Sequence, residues 1–395
     1  MAKRKNTSLY FADNKDISDF LLSAKKKLPT PKLKEIARKR GIFFSNTDGR
    51  EDIIAALSRL PFSWPAFEAL VNAAEAAHRH EKMTSSTVET PATQESIRET
   101  LRLLAEQRAV VENESISVAV ADGTITATVR YTEIDTTKTR LHQKTQREAV
   151  IEISREANNT FKIRHEALDR CDRIVKDLIH RLGEDQPDET RHRQIRVSDL
   201  AIAQHRTEFF LSLIRGVQGY RAEDVKSVRV HRTDDDLNDH DDDDGEPNET
   251  LPPTQGEDDD DLAGVVGSEA EVLAGELKSA ALQGDGLTYS PQYQALIQEG
   301  FFISKVVWIA APVGTTGPKI RIEAEFADDD RMGGFRYSIR GLQDRKEDSE
   351  DFKVAFRPPR PEERKMLGIL VERAAEASLA QLLLLQQQQQ GANPP

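Results

Sequence analysis

The feature that most constrains the fold is a pair of short amphipathic segments between residues 30 and 57, separated by a loop with a glycine near each end. In the first segment, Leu33, Ile36 and Ala37 are spaced three and four residues apart, so they share one face of a helix. Gly41 is predicted to end this helix, because glycine readily adopts the left-handed backbone found just past a helix C-terminus. The pattern predicts a helix, an extended loop and a second helix.

The ends of the two helices are also marked in the sequence. Thr30 is predicted to cap the first helix through its hydroxyl, and Pro31 suits the first turn, where a missing N–H costs nothing. After the loop 42–48, Gly49 introduces the second helix. We expect the two helices to pack their apolar faces together and to leave their charged faces in solvent.

This order of residues resembles the SAP family and the related LEM-like and Rho N-terminal-like helix–extended loop–helix modules. The resemblance covers residues 30–58 and says nothing about the rest of the chain. It is carried by a short set of apolar residues and glycines with one arginine. The matching positions are Leu33, Ile36, Gly41, Ile42, Gly49, Arg50, Ile53, Ile54 and Leu57.

In modules of this kind, basic residues on the first helix and at the start of the second contact the nucleic-acid backbone. Carried over position by position, the resemblance implies a nucleic-acid-binding site, with DNA as the expected ligand. Glu51 and Asp52 depart from the pattern, since they weaken the positive potential where the second helix begins. The alternative is a small helical hairpin that docks onto another protein. The implied site residues are Lys32, Lys34, Arg38, Lys39, Arg40 and Arg50.

The formal net charge of −13 conceals an uneven distribution along the chain. Residues 234–261 hold fifteen Asp and Glu and no Lys or Arg, whereas the first fifty residues hold thirteen Lys and Arg against five Asp and Glu. The acidic segment has too few apolar residues to form a core and is predicted to stay solvated. We expect a basic N-terminal region that meets nucleic acid, and an acidic segment that competes for it as an intramolecular polyanion.

Short strands and helices follow the N-terminal region, including a β-hairpin signal at Asp122 and Gly123. The predicted fold class is α+β: a small N-terminal helical SAP-like domain and a larger domain of antiparallel strands and helices. The predicted boundaries are disorder over 1–15, the SAP-like domain over 16–80, a flexible linker over 81–94, the first half of the α+β domain over 95–232, a disordered acidic insertion over 233–262, the second half over 263–385 and a disordered glutamine-rich tail over 386–395.

Two segments of the larger domain are similar to each other. Residues 209–220 and 293–301 each combine an apolar helical stretch with a glycine, an aromatic residue and the start of a strand. This similarity favours a duplicated α+β unit with the acidic segment inserted between its halves. Two unrelated helix-to-strand corners would give the same pattern, so both interpretations stay open.

The sequence contains no phosphate-binding loop, serine-centred elbow or His-Glu-x-x-His pattern. Glu323 and Glu325 alternate on a predicted strand, as do Glu148 and Glu152 near Lys144, and a metal-dependent nuclease needs carboxylates with a lysine in such positions. Alternating acidic residues are also typical of the solvated face of an antiparallel sheet. The favoured prediction is a non-enzymatic nucleic-acid-binding protein without metal or cofactor. The alternatives are a DNA-targeted, metal-dependent nuclease and a protein–protein adaptor.

Cys171 is the single cysteine, which excludes an intramolecular disulfide, and its helical surroundings predict a buried thiol. No apolar run reaches the ~18–20 residues that a membrane span needs. The first residues, Met-Ala-Lys-Arg-Lys, lack the apolar core of a signal peptide. We expect an intracellular protein of the cytoplasm, nucleoid or nucleus that binds nucleic acid, offers residues 95–385 to a protein partner and does not associate with a membrane.

Overall fold

The computed structural model describes residues 12–25, 27–74, 82–111, 114–134, 136, 139, 141, 144–157, 159–184, 189–200, 202–231, 279–283, 291–314, 316–327, 334–346, 349 and 351–391. The chain divides into two compact units, the first comprising Met1–Glu81 and Ser86–Arg193, the second Lys82–Ser85 and Gln194–Pro395. Helices and antiparallel strands occur together in the structure, which confirms the predicted α+β class. Among the helices in the described part of the chain, none is long and apolar enough to cross a membrane.

The first unit begins with a helical module, and the predicted helix–extended loop–helix lies at its centre. Its helices are α1 (Asn14–Ser23), α2 (Thr30–Arg38), α3 (Arg50–Ser58) and α4 (Trp64–Ala74). The core of the module buries Phe20, Leu33 and Ile53 completely. Leu141, from the connection between two later strands, is 1% exposed and packs in the same core. The module therefore takes part of its core from outside the predicted domain 16–80.

The local signals at the ends of these helices are mostly as predicted. Asp13 caps α1 in a reciprocal capping box with Asp16, so ordered structure begins inside the segment 1–15 that was predicted to be disordered. Gly41 has φ 78° just past α2, which confirms its role in ending that helix. The predicted cap was wrong: Pro29 occupies the N-cap position, Thr30 is already helical, and no side chain caps α2.

The remainder of the first unit is an antiparallel sheet with two helices. These elements are β1 (Met83–Glu89), α5 (Gln94–Val111), β2 (Ser115–Ala121), β3 (Thr124–Ile134), β4 (Lys144–Ala157), β5 (Thr160–Glu166), α6 (Asp169–Glu184) and β6 (Arg191–Gln194). The strand order is β2-β3-β4-β5-β1, with β6 paired to β1. Asp122 and Gly123 both have positive φ, which confirms the predicted tight hairpin between β2 and β3. Cys171 on α6 is fully buried, as predicted.

The second unit packs two long helices against a five-stranded ladder. Its elements are a 3₁₀ turn (Val197–Asp199), α7 (Ala203–Gly216), β7 (Tyr220–His231), β8 (Ser279–Gln283), α8 (Pro291–Gln298), β9 (Phe302–Pro312), β10 (Lys319–Phe326), β11 (Phe335–Gln343) and α9 (Pro361–Gly391). The strand order is β8-β7-β9-β10-β11. Phe209, Phe210 and Trp308 are each 0% exposed in the core of this unit.

Both units follow one plan, but the halves are not the predicted ones, because the segment 233–262 follows β7 and so falls inside the second unit and not between two halves. Each has a helix, four antiparallel strands in a row and a closing helix: α5, β2–β5 and α6 in the first, and α7, β7, β9–β11 and α9 in the second. β8 and α8 are insertions between β7 and β9. The sequence similarity that suggested the repeat has another origin, because Gly219 and Gly300 precede β7 and β9, two neighbouring strands of the same unit.

Three predicted boundaries need correction. The supposed linker 81–94 contains β1, whose Thr84, Ser86 and Val88 are buried in alternation, so its small polar residues occupy a strand instead of a tether. The supposed disordered tail 386–395 is helical up to Gly391 in α9. Finally, α7 and β7 pack with the second unit, so the units divide between residues 193 and 194 and not after 232. The predicted acidic insertion 233–262 lies outside the described residues.

Candidate nucleic-acid interface

Helix α2 separates its apolar and basic residues onto different faces. Leu33 and Ala37 are fully buried in the core of the helical module. Four of the predicted site residues lie on the remaining surface of the helix or at its C-terminal cap. They are Lys32, Lys34, Arg38 and Lys39. We call these four residues the α2 basic face.

One carboxylate lies within the α2 basic face. Glu35 accepts from Lys39 at 2.9 Å and from Lys32 at 3.0 Å, one helical turn on either side. The hydrogen bond from Lys39, together with that from Lys32, lowers the pKa of Glu35 to about 2. Glu35 is therefore ionised at neutral pH and offsets one of the four positive charges, so the face keeps a net positive charge.

Lys34 ties the α2 basic face to the extended loop. Its Nζ donates to the carbonyl oxygen of Ser45 at 2.7 Å. The loop itself is turned by Ser45 and Asp48, since the Ser45 N–H donates to Asp48 Oδ2 at 2.6 Å. Phe43, two residues before Ser45, is 80% exposed. A large exposed aromatic ring thus lies in the loop that Lys34 contacts.

The structure places Arg50 in an internal role. Its guanidinium donates to the carbonyl oxygen of Leu28 at 2.5 Å and to that of Leu21 at 2.8 Å. Arg50 is the first residue of α3, and its side chain reaches back to the end of α1 and to the residue preceding Pro29. These bonds satisfy carbonyl groups left without helical partners, which makes Arg50 part of the module's internal structure.

Arg40 is also engaged inside the module. Its Nη1 donates to the carbonyl oxygen of Pro61 at 3.0 Å, and its guanidinium lies 3.6 Å from the centre of the Phe62 ring. Burial lowers the pKa of Arg40. Sequence reasoning could not separate Arg40 and Arg50 from the other four cations, because the carbonyls they contact lie 21 to 29 residues away in the chain.

The acidic residues at the start of α3 limit where an anion can approach. Glu51 and Asp52 are both exposed in the first turn of α3. They place negative charge at the helix N-terminus that would otherwise attract a phosphate. These two carboxylates make the start of α3 less favourable for an anion than the α2 basic face.

The carboxylates considered for nuclease chemistry are occupied by ion pairs. Glu323 Oε2 lies 2.5 Å from Arg340 Nε, and its Oε1 lies 3.2 Å from both Lys82 Nζ and Lys305 Nζ. Glu325 is 2.5 Å from the same Lys82 amine. Burial alone raises the pKa of Glu323, but the three cations outweigh it and lower that pKa to about 2. We call Glu323 with its three cations the Glu323 cluster.

The second set of carboxylates is arranged in the same way. Glu148 pairs with Arg130 at 2.9 Å across β3 and β4, and Glu152 pairs with Arg164 at 3.3 Å across β4 and β5. In the part of the chain that the structure describes, no group of three or more His, Cys, Asp or Glu side chains is placed to hold a metal ion. The described carboxylates of both sets are thus engaged in ion pairs with neighbouring strands.

Comparisons with known proteins do not indicate a function for this chain. No family model matches the chain, and no curated protein matches it. Among solved structures, it is similar to the di-domain ARO/CYC StfQ from the steffimycin biosynthetic pathway, with 10% identity over 76% of this chain and 96% of that chain. The TM-score is 0.17, so this similarity carries no argument about fold or function.

Proposed function

We propose that this protein binds nucleic acid, with the DNA backbone as the expected ligand, through the α2 basic face. The observation that carries the proposal is the exposure of several cations on one helix whose opposite side is fixed in a core. Lys32 and Lys39 share Glu35 between them, Arg38 is exposed, and Lys34 lies against the loop. The side chains of Lys32, Arg38 and Lys39 are exposed on a helix whose other side is fixed in the core.

A surface of this kind is best suited to contact the phosphates of a nucleic-acid backbone. Lysine and arginine side chains on a short helix neutralise phosphates and release condensed counterions, which gives affinity that depends strongly on salt. Contacts of this kind orient a protein on the backbone without reading bases. We therefore infer binding with little sequence preference. Arg40 and Arg50, which hold the module together, are excluded from the set of phosphate contacts.

The test is fluorescence anisotropy of a labelled duplex with the full chain at several salt concentrations. Changing Lys32, Lys34, Arg38 and Lys39 together to Ala is expected to reduce the log–log salt slope by up to about 3–4 units, and to lower affinity similarly for unrelated sequences. A matched control removes the same charge elsewhere on the surface, by changing Arg102, Arg173, Lys176 and Arg215 to Ala. Equal slopes in the two quadruple variants would contradict the proposal.

One observation favours a second candidate function, the docking of a protein partner on the helical module. Phe43 is 80% exposed, and large exposed aromatic residues are enriched where proteins bind each other. Phe43→Ala distinguishes the two functions, because removal of an apolar ring leaves the salt slope of DNA binding unchanged. If the wild-type chain does not bind DNA at low salt and Phe43→Ala weakens a protein complex, the docking function is favoured.

A further inference from the structure

Strand β2 is the last strand, at one edge of the sheet, among the strands that the structure describes in the first unit. It pairs with β3 over all of its residues, from Ser115↔Arg130 to Ala121↔Thr124, without a register shift. Among the described strands it has no neighbour on its other side. Edge strands are normally protected by charged residues, proline or a bulge. β2 reads Ser-Ile-Ser-Val-Ala-Val-Ala, which contains none of these.

The two faces of β2 differ in character. Ile116 and Val118 pack against the core of the first unit, while Val120, on the same face by the period of two, is 47% exposed. Ser117 and Ala119 are exposed on the opposite face. The apolar side of the sheet therefore continues up to its free edge.

Helix α5 flanks the edge strand. It packs on β2, and its Leu103 is 48% exposed and its Val110 86% exposed. Both are exposed positions on the helix that flanks the edge strand. Within the described residues, the outer side of β2 has no strand partner, and Val120 on this strand is exposed.

The sequence of β2 has the same order of small and β-branched residues when it is read from either end. Small residues alternate with β-branched ones, and the pattern is symmetric about Val118. A strand with this property meets its own sequence when it pairs antiparallel with a second copy. In that register Ile116 lies opposite Val120 of the other copy, and Ser117 lies opposite Ala119 of the other copy, so that no charged residues face each other within Ser115–Ala121.

We propose that two copies of this chain associate through antiparallel β2–β2 pairing about a two-fold axis at Val118. The axis is perpendicular to the sheet, so the α5 helices of both copies lie on the same side of the joined sheet. Isologous pairing of this kind is closed and stops at two chains. A strand pair alone buries less than the ~1,200–2,000 Å² of a stable interface, so we expect a weak, reversible dimer.

The test uses charges placed opposite each other across the axis. In Ser117→Lys/Ala119→Lys, each new lysine faces a lysine of the other copy. In Ser117→Glu/Ala119→Lys, each glutamate faces a lysine instead. Both pairs of substitutions lie on the exposed face of β2, whose partners on β3 are Thr128 and Thr126, so the monomer fold tolerates them.

Sedimentation velocity of the full chain over a concentration series gives the result. We expect wild type to shift from the 44.3 kDa monomer towards the dimer as concentration rises. The double-lysine variant should dimerise about tenfold more weakly, and the Glu/Lys variant should recover dimerisation. Circular dichroism checks that both variants fold. A wild type that stays monomeric throughout, or two variants that dimerise equally, would overturn the proposal.

Discussion

Glu35 on α2 and Glu323 in the second unit are both carboxylates paired with several cations, but Glu35 lies at the surface and Glu323 is buried. Each carboxylate faces two lysines, Glu323 with an arginine in addition, and the pKa of each is lowered to about 2. The Glu35 side chain is 33% exposed, whereas that of Glu323 is 1% exposed. Equal pKa values therefore do not mean equal stability: solvent screens the exposed pair, whereas a buried charge that loses its partners has no water to replace them.

The largest expected effect on stability comes from removing the buried carboxylate of Glu323. Glu323→Gln leaves Lys82, Lys305 and Arg340 without their shared anion and is expected to cost about 3–5 kcal/mol of unfolding free energy. Urea unfolding followed by the fluorescence of buried Trp308 measures this in a Trp64→Phe background. Glu35→Gln serves as the exposed control and should cost much less unfolding free energy, because solvent screens the ion pairs of Glu35. Equal costs in both variants would contradict the distinction.

Acid titration sharpens the same point. Because the folded pKa of Glu323 is about 2 and its usual value is 4.5, its contribution to stability is complete above pH 4.5 and is lost as pH falls through about 2. The stability difference between wild type and Glu323→Gln should shrink by about 3 kcal/mol between pH 5 and pH 2. Urea unfolding at several pH values measures it. A difference independent of pH would show that Glu323 acts by packing alone.

A third prediction compares two arginines of the helical module. Arg50→Ala removes both bonds to the carbonyls of Leu21 and Leu28, and should destabilise the module by about 1.5–3 kcal/mol. Arg38→Ala should leave stability unchanged and lower the salt slope of DNA binding by about one unit. Hydrogen exchange of α1 and α3 reports the first effect and anisotropy the second. If Arg38→Ala destabilised the module and Arg50→Ala lowered the salt slope, Arg38 would be the structural residue and Arg50 the phosphate contact.

The smallest effect concerns the single carboxylate of the α2 basic face. Glu35→Gln removes the negative charge between Lys32 and Lys39, so DNA affinity should rise about two- to fivefold, most clearly at low salt. Anisotropy with the same duplex measures the change, and Glu376→Gln on α9 is a control for net charge. An unchanged or reduced affinity would indicate that Glu35 is needed to hold the lysines in position.

Much of the fold could be predicted from local pattern. Gly41 ends α2 and the Asp122–Gly123 turn joins β2 to β3, both as predicted, because each requires a left-handed backbone that few residue types adopt. The failures have a common cause. β1 contains small polar residues that resemble a linker. Every second residue of β1 is buried only because the strand pairs with other strands, and the sequence does not show that pairing.

The site was predictable only as a list of candidates. Residue type and spacing determined that the N-terminal region is basic and that Leu33, Ile53 and Leu57 form its core, because periodicity is a property of the chain itself. Which cations face solvent was decided by the tertiary structure. Arg50 contacts carbonyls from 22 and 29 positions earlier, and Glu323 collects Lys82 from far back in the chain. Charge can be counted from the sequence, but whether it is solvated or paired depends on which distant groups the fold brings within hydrogen-bonding distance.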